Sequence, residues 1–209
     1  MGALAFVLLL AFAAGAGEPR IKGVHLAARG SLLVCGVETE GLPDAPSRDT
    51  LASGLPSALV LWFTLLDPKG RDLGGTEAQV RIEPDLWENL FQIRTPALDR
   101  RVSSLAEVET VLASLDPIPV ATLDELHQGV SYRMRVRLAV HPLAPAMIER
   151  ARGLFTGETR YEDPRRREVS IGLGSLIRTF LGRPDEKDWT AEQISPPFTV
   201  LSLPRTEEP

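Results

Sequence analysis

Apolar and polar residues alternate most strictly over residues 130–140. Val130, Tyr132, Met134, Val136, Leu138 and Val140 share one parity; Ser131, Arg133, Arg135, Arg137 and Ala139 share the other. Successive side chains of a strand point to opposite faces, so the pattern predicts a long β-strand with one face on a core and three arginines on the other. Residues 58–66 differ in being apolar on both parities, with Leu59, Leu61, Phe63 and Leu65 on one and Val60, Trp62 and Leu66 on the other. A strand of that kind is covered on both faces and central in its sheet.

The same reading places further elements on either side. Residues 21–26 and 32–37 are apolar, β-branched runs joined by Arg29-Gly30-Ser31, a predicted hairpin. Residues 38–48 read as a loop, after which Ser47 is expected to cap a short helical turn ended by Gly54 and Pro56. Asp67-Pro68-Lys69-Gly70 is a turn. Residues 77–82 alternate, Pro84 is expected to interrupt, and residues 87–94 are predicted as a strand with Trp87, Asn89, Phe91 and Ile93 on one face. Ser104-Leu105-Ala106-Glu107 has the form of a capping box, and Leu105, Val108, Val111, Leu112 and Leu115 then recur at helical spacing up to Asp116-Pro117. Residues 119–122 are a short strand candidate. Pro145 suits the first turn of a helix bearing Ile148, Ala151, Leu154 and Phe155. Leu176, Ile177, Phe180 and Leu181 predict another helix within residues 171–181, beyond a charged loop over residues 157–168. From Gly182 onward five prolines predict an extended tail.

Strands with one inserted helix, then a helical C-terminal part, predict a mainly β fold with α additions (α+β): an antiparallel β-sandwich-like body. The expected division is a signal peptide over residues 1–16, a strand-rich domain over 17–156, and a C-terminal extension over 157–209. No internal repeat is visible.

Composition narrows the functional classes. The chain has 209 residues, 44% of them apolar and 24% charged, as in globular proteins, and 17 glycines with 17 prolines point to many turns. The net charge of −5 argues against nucleic-acid binding, which calls for a basic footprint. Residues 3–13 are apolar and Ala14-Gly15-Ala16 has the small-x-small form of a cleavage site, so export is expected, with cleavage after Ala16; no Lys or Arg precedes the apolar run. That run is shorter than the roughly 20 residues a membrane-spanning helix needs. Cys35 is the single cysteine, so no disulfide can form within the chain, and its alternation with apolar neighbours reads as a buried thiol.

Catalytic signatures do not emerge from the residue order. His25, His127 and His141 lack metal-ligand spacing, and neither a Gly-x-Ser-x-Gly elbow nor a His-Glu-x-x-His helix occurs. Asp67, Glu83, Asp85 and Asp99 stand near predicted strand ends, where two carboxylates could meet. Gly172 and Gly174 precede a helix start without the rest of a phosphate-loop pattern. The sharpest feature is the stripe Arg133, Arg135, Arg137, whose guanidinium forks suit carboxylate or phosphate. It is read either as a docking face for an anionic surface or as a sheet face paired with acids of a neighbouring strand, each such pair worth about 0.2–1 kcal/mol. Arg165-Arg166-Arg167 lies among Glu162, Asp163 and Glu168.

With the whole order in view, the chain resembles a family of exported bacterial proteins, domain of unknown function family 4390. The resemblance rests on the apolar N-terminus leading to the hairpin at 21–37, Ala52-Ser53-Gly54-Leu55-Pro56 leading into the apolar strand, Ser103-Ser104-Leu105-Ala106-Glu107 opening the helix, and residues 126–137 running on to Pro142-Leu143-Ala144-Pro145. It spans roughly residues 21–155. The stretch 67–75 departs from the aromatic and basic residues of that pattern, and the residues after Phe155 are particular to this chain. The resemblance implies an exported envelope protein and carries over no catalytic residue.

The expectation is therefore a non-enzymatic periplasmic or cell-envelope module that binds or scaffolds another component. Its alternatives are a carboxylate-dependent hydrolase and a carrier of a small apolar ligand. Neither cofactor nor metal is expected. The expected partner is an envelope component, with an acidic surface as the candidate for the arginine stripe, and the mature chain is expected to have no transmembrane segment.

Overall fold

A computed structural model describes residues 17–141 and 189–206. The chain begins with β1 (Arg20–Arg29) and β2 (Leu32–Glu40), the predicted hairpin, with Gly30 at φ 58° in its turn. The helix α1 (Ala45–Ala52) comes next. Asp44 caps it by accepting from the Ser47 N–H at 3.0 Å; Ser47, the expected cap, lies inside the first turn and is fully buried. Asp44 takes the role because Ala45-Pro46 come directly after it, and proline suits a first helical turn whose N–H groups lack partners anyway.

The strand β3 (Ser57–Leu66) is flanked on both sides, as its double apolar parity predicts, by β4 (Asp72–Asp85) and β8 (Arg133–His141). Two expectations nearby are corrected. Pro84 does not interrupt β4: it pairs with Phe91 of β5 (Leu90–Arg94). β3 begins at Ser57, opposite Ile82, so among the described residues Pro84 has a partner strand on one side only, a position where a missing N–H is tolerated. Trp87 and Asn89 are in a turn, and the strand starts only at Leu90.

After β6 (Asp99–Val102), α2 (Leu105–Ala113) begins at the predicted cap, Ser104 Oγ accepting from the Glu107 N–H at 3.2 Å. Glu107 reaches back to Ser103 N and Oγ, both at 2.9 Å. Val108, Val111 and Leu112 are buried. The helix ends three residues before Asp116, and Leu115 belongs to β7 (Ser114–Thr122), which runs through Asp116, Pro117 and Pro119. β7 is the outer strand beside β2, where proline costs no ladder bond on the open side.

Two antiparallel sheets result, β1-β2-β7 and β6-β5-β4-β3-β8-β9, where β9 is Ala191–Ile194. The fold is thus mostly antiparallel β with few helices. One core joins the sheets: Leu59, Leu61 and Phe63 of β3, Val80 and Ile82 of β4, and Met134, Val136 and Leu138 of β8 meet Leu33, Cys35 and Val37 of β2 and the inner face of α2. The apolar parity of residues 132–138 is buried as predicted, while Val140 is only partly covered.

The residues described at the C-terminal end are strapped to the body. Ser195 N donates to Met134 O at 2.8 Å, and Ser195 Oγ accepts from Met134 N at 2.9 Å. Phe198 exchanges two backbone bonds with Tyr132, their rings 6.1 Å apart. The strap then crosses to β1, where Ala28 N donates to Pro204 O at 2.8 Å and Thr206 N donates to Ala28 O at 2.9 Å. The helices predicted within residues 145–155 and 171–181 lie outside the described residues, as do residues 1–16 and the loop at 157–168. No helix among the described residues is long and apolar enough to cross a membrane.

Candidate functional site

The arginine stripe is built by β8, whose outward parity carries Arg133, Arg135 and Arg137. The tertiary fold separates the three. Arg137 pairs with Glu192 of β9 and stands 5.8 Å from the centroid of the Trp189 ring. Arg135 lies 3.3 Å from Asp72 and 3.9 Å from Glu192. Only 21% and 20% of the Arg135 and Arg137 side chains are exposed, so these two are held by acids and covered by neighbours. Arg133 is exposed and has no ion pair among the described residues.

Two of the four candidate carboxylates, Glu83 and Asp99, meet on the Arg94 guanidinium at 3.0 and 3.7 Å, while Asp67 and Asp85 each hold a turn. Asp67 is nearly buried and accepts from Lys69 N, Arg71 N and the Arg71 guanidinium, all within 2.6–2.9 Å. The backbone hydrogen bond from Arg71 leads the causes that hold its carboxyl below the usual range. Glu83 pairs with Arg94 at 3.0 Å. Asp99 accepts from the Gln92 amide at 2.9 Å. Asp85 accepts from the N–H groups of Trp87 and Glu88 at 3.0 and 3.1 Å. His25 lies 3.1 Å from Glu38 on an exposed face, His127 is exposed, and the His141 carbonyl accepts from Ser57 Oγ. No group of histidine, cysteine, aspartate or glutamate side chains among the described residues is placed to hold a metal ion. Cys35 is fully buried, and burial pushes its thiol up to about 12. Gly172, Gly174 and the run Arg165–Arg167 lie outside the described residues.

One site escaped the reading of the residue order. The turn between β4 and β5, residues 86–89, projects Leu86, 72% exposed, and Trp87, 98% exposed. The turn is locally determined. Asp85 pins two N–H groups just beyond it, and Asn89 takes φ 53°, a left-handed conformation that asparagine tolerates better than most residues. Gly54, at φ 78°, lies directly under Leu86: a Cβ there would come within 2.8 Å of Leu86 Cδ1. Beside the tip runs an open groove of about 400 Å³ lined by Glu83, Pro84, Leu90, Gln92 and Arg101 together with the turn. Asp85 with Asn89 four residues later was the available signal. It was masked because Trp87, Asn89, Phe91 and Ile93 also satisfy a period of two.

This geometry offers binding: an apolar aromatic tip on a fixed turn, a groove at its side, and carboxylates already engaged by turns or by Arg94. Comparison of the chain with protein-family models, with curated proteins and with solved structures found no match.

Proposed function

We propose that this chain is a non-enzymatic binding or scaffolding module, exported to the periplasm or cell envelope, which engages its partner through the β4–β5 tip. The observation that carries the reading is Trp87, held in water at 98% exposure on a turn pinned by Asp85. A large ring kept exposed on an ordered turn is a ready anchor: buried tryptophan dominates the energetics of many interfaces. The packing between the sheets supports a scaffold rather than a carrier, since Phe63, Leu33, Leu61, Ile82, Met134 and Leu138 fill that space. Export rests on the apolar residues 3–13 and the Ala14-Gly15-Ala16 site, and kinship with family 4390 rests on the order of segments from the hairpin at 21–37 to Pro145. The proposed helical C-terminal part belongs to the same reading. An acidic surface would meet the arginine stripe first at Arg133, because Arg135 and Arg137 already have carboxylate partners.

A photoreactive aromatic amino acid in place of Trp87 tests the site in cells. A discrete adduct in the envelope fraction is expected, and Asp85→Ala, which unpins the turn, should reduce it. Absence of any adduct from a folded, exported protein would overturn the reading. Recovery of intact Met1 in the cytoplasm would remove the export part of it.

A further inference from the structure

The two sheets are not equally guarded at their edges. β4 pairs with β3 from Asp72 to Ile82, but with β5 only from Arg81 to Asp85. Residues 73–78 therefore have no strand on their second side among the described residues. The other edges are blunted in familiar ways. β7 carries Pro117 and Pro119, β6 is four residues long with Asp99, Arg100 and Arg101, β9 is also four residues long, and β1 carries Arg20 and Lys22 and is bonded at Ala28 to Pro204 and Thr206. The segment Leu73-Gly74-Gly75-Thr76-Glu77-Ala78 has neither proline nor lysine. It opens to space: Leu73 is 53% exposed, and a Cβ on Gly74 would meet nothing within 4 Å.

A cleft of about 260 Å³ lies along this edge, between β4 and β7. Leu65, Leu73, Val120 and Ala121 line it, with Glu125 beside them. On the opposite face of β4, Glu77 stands next to Trp62 of β3. Neither Glu77 nor Glu125 has an ion pair or a side-chain hydrogen bond among the described residues, unlike the acids of the arginine stripe. Burial raises the Glu77 carboxyl, as expected for a carboxylate half-desolvated without a cation.

We propose that residues 73–78 of β4 form a strand-addition site for an extended segment of a partner protein in which apolar and basic side chains alternate. The edge supplies backbone donors and acceptors, which give affinity in this mode of recognition, and pockets for alternate side chains give specificity. Apolar side chains on one face of the added strand would enter the cleft. Basic side chains on the other face would lie beside Glu77, and Glu125 at the cleft adds a second negative charge to the same edge. The charge chooses the occupant. A second copy of this chain, with net charge −5, would bring its own acids to the edge, whereas a basic strand pairs with Glu77 and is drawn to the negative edge. The inference rests on the binding-module reading but uses a different surface from Trp87.

Amide hydrogen exchange on the full chain tests it, with a synthetic peptide of about eight alternating lysines and valines as probe. The peptide should slow alternate amides within residues 73–78 roughly tenfold or more, and a glutamate–valine counterpart should bind roughly tenfold more weakly. A lysine–valine peptide N-methylated on alternate amides should not bind. The double variant Glu77→Gln with Glu125→Gln should keep its thermal midpoint and lose the preference for the basic peptide. Protection at β6 or β9 instead, or none anywhere, would overturn the proposal. So would the same protection in the peptide-free protein with a doubled mass, which would make the occupant a second copy. Any of these failures leaves the result of crosslinking at position 87 standing, so the two readings fail separately.

Discussion

Asp67 shows how one side chain fixes a connection. Pro68 and Gly70, at φ 78°, allow the chain to reverse, but the carboxylate sets the turn by accepting from two N–H groups and a guanidinium. Its lowered folded pKa means the unfolded chain binds the proton more readily. The associated stability is therefore present above the ordinary aspartate value of about 3.9 and is lost as pH falls through the lowered folded value. Asp67→Asn should accordingly lower the urea midpoint near neutral pH, and the gap from the parent chain should close at acid pH. A gap unchanged with pH would show that hydrogen-bond shape, not charge, sets the turn. Cys35 gives a second residue-scale prediction. With its thiol buried and pushed up to about 12, it should resist a thiol reagent at about pH 8 in the folded chain and react on unfolding in urea. Its place among Leu33, Val34 and Val37 made that burial legible from local alternation.

Among the elements, β8 carries the clearest contrast between faces. Val136 is fully buried in the core, and losing such burial costs about 1.5–3 kcal/mol before the penalty of placing a charge there. Val136→Asp is expected not to accumulate as folded protein. The outer parity is graded rather than uniformly wet. Arg133→Gln should change stability little, while Arg135→Gln should cost at most about 1 kcal/mol by loosening the pairs with Asp72 and Glu192. Soluble yield reports Val136→Asp and chemical denaturation orders the two arginine variants; a Val136→Asp that folds as well as Arg133→Gln would refute the assignment of faces. The parity of β8 was readable because a strand's period is local. The pairing of Arg135 and Arg137 was not, because Glu192 is brought to them by β9 from more than fifty residues away.

At the scale of the whole molecule, residues 189–206 connect the two sheets along one side, from β8 to β1. Phe198, 8% exposed, is the apolar fastening of that strap against Tyr132. Phe198→Ala should cost about 3–5 kcal/mol, a large share of the stability of a single domain, and should speed exchange of amides in both β8 and β1. A loss confined to the tail, with β8 and β1 still protected, would show that the sheets hold together without it.

The residue order by itself determined the elements whose signals are local: the β1–β2 hairpin, the two-sided apolar strand β3, the Asp67 turn, the capped start of α2 and the inward face of β8. Each arises from a period, a cap or a turn residue acting over a few positions. The tertiary structure decided where proline would be absorbed into strands, because Pro84, Pro117 and Pro119 have no neighbouring strand on one side among the described residues. It also decided that the proline-rich end would supply β9, that two arginines of the stripe would meet Glu192 and Asp72, and that Trp87 would leave its apparent strand for an exposed tip. Those outcomes depend on which strands lie side by side, and strand pairing joins residues far apart in sequence that no local period can connect.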